Sequence, residues 1–519
     1  MSKLRNTING NLNLAVFILL AVVYAISYSC FSIVFDSGDD IAFQKILRGY
    51  FTVQPDVHLV FINVMIGYIL KPFYIFDNTV YWYSFLMLFL QALSFGIILK
   101  IELKKKYSII YYVVLLLLFQ YLIIRLQFTT VSAMLTVAGF LLTKEKMRLG
   151  KRNLIFPLLL LVFGFLIREE MFYLIIVFLM AFVFVLKREL LLNSLKDKGY
   201  LIQFSALAVV LAASHFFDES HYRSKEWSYY VDYNAVRGPV NDSPMFKAYY
   251  EDKFATDTIA KSDLDIVVRN FIALKQYDKD RLNELLQGAK HDKNAFRYRM
   301  QCLKMNSVQM NNFILYVFVL FILALAVKER RFSLLIPVIL LLLAFVAISL
   351  EMTFKNRLSF PILIIFYIFY AAAIDKKWYR FLIISLGVIT LFTNQRFLNG
   401  FSEKQVEIAD LPTDRLIVPL STTNSTFHPF KLNELNNRKN IVNMGWLAES
   451  PLIIDMLKQK NIKVSQHFSL FDDATINSNF YYYIGKESLC RIFNSNLNPK
   501  GMKLVPLKNY KDIYTIQKL

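Results

Sequence analysis

Long apolar runs, separated by short polar and charged stretches, dominate the hydrophobic pattern of this chain. An α-helix needs about 20 apolar residues to cross the roughly 30 Å hydrocarbon core of a bilayer. Runs near that length predict transmembrane helices at 12–35, 79–99, 107–124, 127–143, 153–167, 170–186, 200–216, 312–327, 332–350, 357–374 and 378–394. The pattern therefore predicts a polytopic α-helical membrane protein with about 11 transmembrane helices.

The run 57–75 is ambiguous, because polar and helix-breaking residues interrupt it: His58, Asn63, Lys71 and Pro72. Such residues are costly or disruptive in lipid. If the run crosses the membrane, Lys100–Lys106 and Lys187–Lys198 fall outside, against the rule that cytoplasmic loops carry the positive charge. If it lies at the interface, all the basic bursts fall inside. We therefore expect a retained first span with a cytoplasmic N-terminus, and an extracytoplasmic C-terminus.

This topology predicts a transmembrane domain over 1–395, with outer loops at 36–78 and 217–311, and a small extracytoplasmic α/β domain over 396–519. In the first outer loop, residues 41–50 predict an interfacial helix with Phe43, Ile46, Leu47 and Tyr50 on one face and Gln44, Lys45 and Arg48 on the other. With 57–75 it makes two juxtamembrane helices. The C-terminal segment alternates predicted strands (Leu416–Leu420, Phe480–Ile484, Asp512–Ile516) with predicted helices (Pro451–Lys460, Ser488–Asn494).

Composition narrows the class of protein. The chain is 56% hydrophobic and only 19% charged, which indicates bilayer as its solvent. Its formal charge of +20 sits in bursts between apolar runs, as topology requires, so we expect no nucleic-acid partner. The spacing of Cys30, Cys302 and Cys490 favours free thiols over a disulfide framework, although Cys302 and Cys490 can pair if both are extracytoplasmic.

Three carboxylates, Asp36, Asp39 and Asp40, lie within five residues where the chain leaves the first span. One of them can cap the following helix, since Asp accepts from free N–H groups at a helix start. Capping explains one Asp and not three. We therefore favour a catalytic role, in which one carboxylate is a general base and a neighbour orients it or binds a divalent metal.

Cationic side chains are expected at outer helix ends, against the usual charge bias: Arg125, Arg168, Lys355 and Arg357. The Arg fork matches phosphate oxygens, so these residues are candidates for binding a lipid-linked phosphate. The alternative is that each one reaches a lipid headgroup or pairs with an acid such as Glu351. His58, Gln127 and Glu169 are candidates for lining a substrate site, and Gln127 equally for satisfying backbone between helices. The aromatic group Trp227, Tyr229, Tyr230 and Tyr233, with Arg237, can stack on sugar rings or form an interface belt, and we favour the belt.

The order of these features resembles the GT-C glycosyltransferases over about residues 1–395: an acidic cluster after the first span, juxtamembrane helices, many spans and an outer C-terminal domain. Shorter motifs are similar to a group of bacterial membrane proteins of this type: Asp39-Asp40, Gly49, Pro55-Asp56-Val57-His58, Asn63 and Trp82-Tyr83. The resemblance implies a sugar transferred from a polyprenyl-phosphate or polyprenyl-diphosphate donor at the outer face of the bacterial plasma membrane.

The resemblance further implies that Asp39 or Asp40 is the acidic catalytic residue, and that Arg125, Arg168 and Arg357 contact the donor phosphate. The expected acceptor is a cell-surface glycan, lipid or protein, and membrane lipid is expected as a further partner. A divalent metal, Mg²⁺ or Mn²⁺, is required in one branch of the family and stays open here. Two alternatives remain: a surface polysaccharide polymerase or ligase using outer-loop Arg and His, and a lipid-linked sugar transporter.

Overall fold

The computed structural model of the protein is mostly helical. It describes residues 2–31, 33–52, 54–105, 107–194, 196–270, 274, 276–308, 319–320, 322–323, 326–327, 332–371, 412, 414–419, 429–430, 445–447, 449–462, 464, 479–484, 487–508 and 513–518. The described helices are α1 (Ser2–Cys30), α2 (Gly38–Leu47), α3 (Val64–Phe76), α4 (Trp82–Leu103), α5 (Ile109–Ile124), α6 (Phe128–Arg148), α7 (Ile155–Ile167), α8 (Glu169–Ser194), α9 (Lys198–His221), α10 (Lys225–Asp242), α11 (Pro244–Lys253), α12 (Thr258–Asn270), α13 (Lys279–His291), α14 (Ala295–Val308), α15 (Leu335–Ser349), α16 (Asn356–Ala371), α17 (Pro451–Gln459) and α18 (Glu487–Leu497). The described strands are β1 (Val34–Phe35), β2 (Arg125–Leu126), β3 (Leu416–Pro419), β4 (Phe480–Tyr483), β5 (Met502–Pro506) and β6 (Ile513–Lys518).

Three described helices are long and apolar enough to cross a membrane: Asn11–Cys30, Trp82–Leu103 and Lys198–His221. Shorter apolar helices occur at Val64–Phe76, Ile109–Ile124, Ile155–Ile167, Leu335–Ser349 and Arg357–Tyr370. These features are those of a membrane protein, whereas the number of spans stays a prediction. Of the predicted spans, 378–394 lies outside the described residues and 312–327 lies largely outside them.

Helix α6 is the centre of the bundle and packs against α4, α7 and α8. All residues from Phe128 to Gly139 are buried. A Cβ on Gly164 of α7 would come within 2.5 Å of Thr136 Oγ1, and one on Gly139 within 2.9 Å of the Pro157 carbonyl oxygen. Small residues at these positions let α6 and α7 approach closely, as helices do inside membranes.

The two ends of the bundle differ in charge. At one end, Lys104 of the turn after α4 lies 3.4 Å from Glu145 of α6, and the Gln203 amide of α9 donates to the Arg152 carbonyl at 2.7 Å. The basic bursts that follow α4 and α6 therefore share this end. The opposite end, where α5 and α7 finish and α6, α8 and α16 begin, holds the acidic cluster.

Helix α2 corrects the expectation for 41–50. It begins at Gly38, and every residue from Asp40 to Leu47 is buried, including the predicted polar residues Gln44 and Lys45. The Gln44 amide donates to Ser84 of α4 and, at 2.9 Å, to the Pro429 carbonyl oxygen. The helix therefore lies inside the protein, because more distant segments cover the face that the pattern assigned to water.

The C-terminal segment contains a four-stranded sheet of order β3-β4-β6-β5, in which β3 and β4 are parallel and the other pairs are antiparallel. Helix α18 packs on β5 and on α12, and α17 packs on α10. This segment also reaches residues 36–78, where the ring centroids of Trp446 and Phe61 are 4.8 Å apart. Its strands and helices include those expected from the sequence, with β5 in addition.

Candidate functional site

A two-residue parallel ribbon fixes the position of Asp36. Strand β1 pairs with β2 in the register Val34 to Arg125 and Phe35 to Leu126, and the Asp36 amide donates to the Leu126 carbonyl oxygen at 3.0 Å. The pairing places Arg125 Nε 3.1 Å from Asp36 Oδ1. Both side chains are about one-fifth exposed, so this ion pair is reachable from solvent.

Asp39 lies among three arginines from distant parts of the chain. Its Oδ2 is 3.8 Å from an Nη of Arg357, at the start of α16. Arg168 is close enough for its pKa to respond to the charges of both. Burial is the main effect and lowers the Arg168 pKa, while Glu170, at 3.0 Å, opposes it. Buried Arg237 also interacts with the Asp39 charge. The site therefore joins one carboxylate to several cations.

Asp40 is fully buried and bound on both sides. Its Oδ1 accepts from the Tyr83 hydroxyl at 2.7 Å and from the Phe128 amide at 3.3 Å. Burial raises the pKa of the Asp40 carboxyl well above its usual value, the Tyr83 hydrogen bond lowers it in part, and the nearby Asp39 charge raises it further. Asp40 thus joins α2 to α4 and α6, and holds Asp39 beside it in place.

Gln127 lies between Arg125 and Phe128 with its side chain fully buried. Neither its amide nitrogen nor its amide oxygen has a hydrogen-bond partner among the described residues. Buried polar atoms nearly always find partners, because leaving one unpaired costs roughly 1–3 kcal/mol. The side chain is therefore a polar group held next to the carboxylate cluster.

His58 is oriented by a carboxylate. Asp56 Oδ1 accepts from the His58 backbone amide and also lies 2.8 Å from Nδ1 of the His58 ring. Burial alone would raise the Asp56 pKa, but the hydrogen bonds and charge of His58 lower it below its usual value. The imidazole stacks on Trp227 at 4.5 Å between ring centroids. An imidazole held at Nδ1 by an acid presents Nε2 in a defined direction, as general bases do.

The segment that follows His58 is strained. Val60 has φ of +65°, a conformation that β-branched residues rarely adopt. The Val60 amide donates to the Tyr222 hydroxyl at 2.9 Å, and the Phe61 carbonyl oxygen accepts from Arg168 Nη1 at 3.1 Å. Strain of this kind persists where the surroundings enforce it, commonly at functional sites. Here it connects His58 to Arg168.

Two predicted site residues have other partners. Lys355 Nζ lies 2.6 Å from Asp242 Oδ2, at the end of α10. Glu169 Oε2 lies 2.9 Å from Nδ1 of His215, a half-exposed residue of α9. Neither has a described contact with the Asp36 to Asp40 cluster. Their assigned roles in phosphate binding and substrate lining stay predictions.

The interpretation of the α10 aromatic residues as a lipid-facing belt is wrong. Trp227, Tyr230, Tyr233 and Arg237 are buried inside the protein. The spacing of three, three and four residues puts them on one helical face, and this signal was available in the sequence. Arg237 donates to Asn234 Oδ1 at 2.7 Å. The belt interpretation placed Arg237 at the lipid interface and so missed its position near Asp39.

Among the described side chains, no group of three or more His, Cys, Asp or Glu residues is arranged to hold a metal ion. The carboxylates of Asp36, Asp39 and Asp40 instead meet cations or hydroxyl and amide donors. The three cysteines are free thiols in the structure.

Comparison with protein-family models finds no match for the chain. Comparisons with curated proteins and with solved structures find no match either.

Proposed function

We propose that the protein is a membrane glycosyltransferase that moves a sugar from a polyprenyl-phosphate donor to a cell-envelope acceptor, with Asp39 as general base. One observation carries the proposal. Asp39, Arg168 and Arg357 come from distant parts of the chain and lie together in the structure. A carboxylate beside several cations suits a reaction in which a hydroxyl loses a proton and a phosphate leaves.

In the proposed step, the acceptor hydroxyl oxygen attacks the anomeric carbon of the donor sugar. A new C–O bond forms while the bond from that carbon to the phosphate oxygen breaks, and its electron pair stays with the phosphate. Asp39 takes the hydroxyl proton. The products are the glycosylated acceptor and polyprenyl phosphate. Attack from the face opposite the leaving group inverts the configuration at the anomeric carbon.

The arginines stabilise the charge that develops on the departing phosphate. Arg357 is one-quarter exposed and its contact with Asp39 is long, so its fork is available to phosphate oxygens. Arg168 is held by the Phe61 carbonyl oxygen and by Glu170, which fixes its direction. Fixed cations in a partly buried site stabilise such charge more than water does, because they need no reorganisation during the reaction. Arg125 balances Asp36 at the edge of the same site.

The proposed orientation follows from the two ends of the bundle. The end with Lys104, Arg148 and Arg152 faces the cytoplasm, as the charge bias of membrane proteins favours. The end with Asp39 then faces outward, where flipped lipid-linked sugars meet surface acceptors. The C-terminal sheet lies on the same outer side.

The test is transfer of labelled sugar from extracted polyprenyl-phosphate donors by the purified full-length protein, comparing the parent with Asp39→Asn. We expect the variant to lose roughly 100-fold or more in turnover, the usual contribution of a general base. Asp232→Asn is the matched control, because Asp232 is an exposed acid of α10 that pairs with Lys279 of α13. Full turnover by Asp39→Asn, or no transfer by the parent, would refute the proposal.

A second candidate is a polymerase or ligase of surface polysaccharide, which the Asp56–His58 pair favours. In that reaction His58 Nε2 takes the proton from the acceptor hydroxyl while Asp56 stabilises the charged imidazole. His58→Gln separates the two candidates in the same assay. Loss of turnover in His58→Gln together with normal turnover in Asp39→Asn selects the polymerase or ligase.

A further inference from the structure

A cleft opens between the beginning of α10 and one face of α17. It encloses about 460 Å³ and is lined by Ser224, Lys225, Glu226 and Trp227 on one side and by Pro451, Ile454, Asp455, Lys458 and Val464 on the other. Small-molecule sites in proteins typically measure about 300–1,000 Å³. The cleft therefore has the size of a binding site, and Asp36, Asp39 and Asp40 are not among its lining residues.

The lining has a mixed chemistry with no net charge. Lys225 and Lys458 supply donors, Glu226 and Asp455 supply acceptors, and Ile454 with other side chains supplies apolar wall. A phosphate or a polyanion is favoured by unbalanced cations, and a lipid chain by an uninterrupted apolar wall. Sugars carry hydroxyls that both donate and accept, together with apolar C–H faces. The lining matches a neutral saccharide best.

Trp227 gives the cleft a rigid wall. Its ring stacks on His58 and meets the rings of Tyr222 and Tyr230 edge to face at 5.3 and 5.7 Å. The Ser224 hydroxyl accepts from the Trp227 amide at 3.3 Å and caps the helix at this point. A wall held on several sides loses little freedom when a ligand binds, which favours affinity.

The same helix connects the cleft to the reaction site. Two residues of α10 interact with the Asp39 charge: Tyr230, three residues after Trp227, and Arg237, ten residues after it. A saccharide in the cleft therefore lies beside the helix that reaches the proposed reaction site, as a part of the acceptor would.

We propose that the cleft between α10 and α17 binds neutral oligosaccharide, and that it holds the acceptor chain during transfer. The second clause rests on the proposed function, whereas the first does not. Asp455 and Lys458 are both more than half exposed, so substituting them removes ligand contacts and leaves the core intact.

The experiment is binding of short neutral oligosaccharides of glucose, mannose, galactose and N-acetylglucosamine to the full-length protein in nanodiscs, measured by saturation-transfer NMR and titration calorimetry. We expect the parent to bind at least one of them, and the double substitution Asp455→Ala with Lys458→Ala to weaken that binding roughly tenfold or more. Gln459→Ala is the control, because Gln459 is exposed on α17 and does not line the cleft. Binding of none of these sugars, or equal binding by the double variant, would overturn the proposal.

Transfer assays keep the two proposals separable. In Asp39→Asn, oligosaccharide binding should persist while transfer is lost. Sugar binding without any transfer by the parent would refute the proposed function but not the proposed sugar site in the cleft. Transfer with an unchanged acceptor KM in the double variant would refute the role of the cleft in acceptor binding but not the transferase activity.

Discussion

The Asp39 carboxylate lies 3.8 Å from the guanidinium of Arg357, and the two side chains are 24% and 23% exposed. A long ion pair open to solvent contributes roughly 0–1 kcal/mol to folding. Its weak hold on Arg357 leaves both groups free to exchange partners, as the proposed function requires of groups that meet a substrate. The pair is thus better suited to binding and proton transfer than to stabilising the bundle.

Arg357→Met should raise the KM for the lipid-linked donor roughly 10- to 100-fold, since a charge-assisted contact to phosphate is lost. The unfolding temperature should change little, because the pair with Asp39 is weak. Lys355→Met is the matched control, since Lys355 pairs with Asp242 and not with the cluster. Steady-state kinetics at varied donor concentration measures the effect. An unchanged donor KM in Arg357→Met would remove this residue from the phosphate site.

Asp40 should tolerate Asn but not Ala. The Asn oxygen can still accept from the Tyr83 hydroxyl and the Phe128 amide, whereas Ala leaves the buried hydroxyl unpaired at a cost of roughly 1–3 kcal/mol.

The raised pKa of Asp40 also predicts a pH dependence of stability. Above pH 3.8 the folded protein keeps a proton on Asp40 that the unfolded chain releases, so the contribution of Asp40 to stability falls as the pH rises. Thermal unfolding across pH should show a weaker fall in Asp40→Asn than in the parent. A large loss of turnover in Asp40→Asn would make Asp40 the base.

Lys45 should make the protein more stable as the pH rises from neutral. Burial lowers the pKa of Lys45 from 10.5 to about 7. Between these values the unfolded chain binds the proton that the folded protein has lost, so the free energy of unfolding increases with pH. Lys45→Met should abolish this increase, whereas the same change at exposed Lys247 should not. Parallel pH slopes for the parent and Lys45→Met in thermal unfolding would contradict the prediction.

Gly67→Ala should destabilise the loop that carries His58. A Cβ at this position would lie 2.6 Å from the Val57 carbonyl oxygen and 2.8 Å from the Val57 Cα. Backbone must move to relieve the overlap, at a cost of roughly 1–3 kcal/mol. In contrast, Gly238→Ala in α10 meets nothing within 4 Å and should be neutral or stabilising by about 0.5–1 kcal/mol. Thermal unfolding compares the two, and equal effects would show that α3 does not need this close approach.

The charged residues of the site could be predicted from the sequence, whereas the groups that surround them could not. Asp39 and Arg357 were identifiable because charges at the ends of apolar runs are costly without a purpose. The burial of Gln44 and Lys45 was not, because their covering groups, including the Pro429 carbonyl oxygen, come from far along the chain. Local periodicity carries no information about such distant contacts.

The C-terminal sheet shows the same limit. Strand β4 is a continuous aromatic run, Phe480–Tyr483, and its character is readable from four residues. Strand β5, Met502–Pro506, has only Leu504 buried and owes its conformation to pairing with β6 along its whole length. A strand that is stabilised mainly by its neighbour has only a weak strand pattern in its own sequence.

The Pro429 carbonyl oxygen accepts from Gln44 and Ser84, and Trp446 covers Phe43 and Phe61. Residues 36–78 leave the ribosome early, and these covering residues leave it late. During synthesis, a nearly complete bundle therefore exists before the groups that cover Gln44, Phe43 and Phe61 have been made. A chain that stops before residue 429 keeps Asp39, its arginines and the contact of the Gln44 amide with Ser84, but it lacks the Pro429 carbonyl oxygen that also accepts from this amide. Synthesis of the last part of the chain thus sets the time at which the site becomes complete.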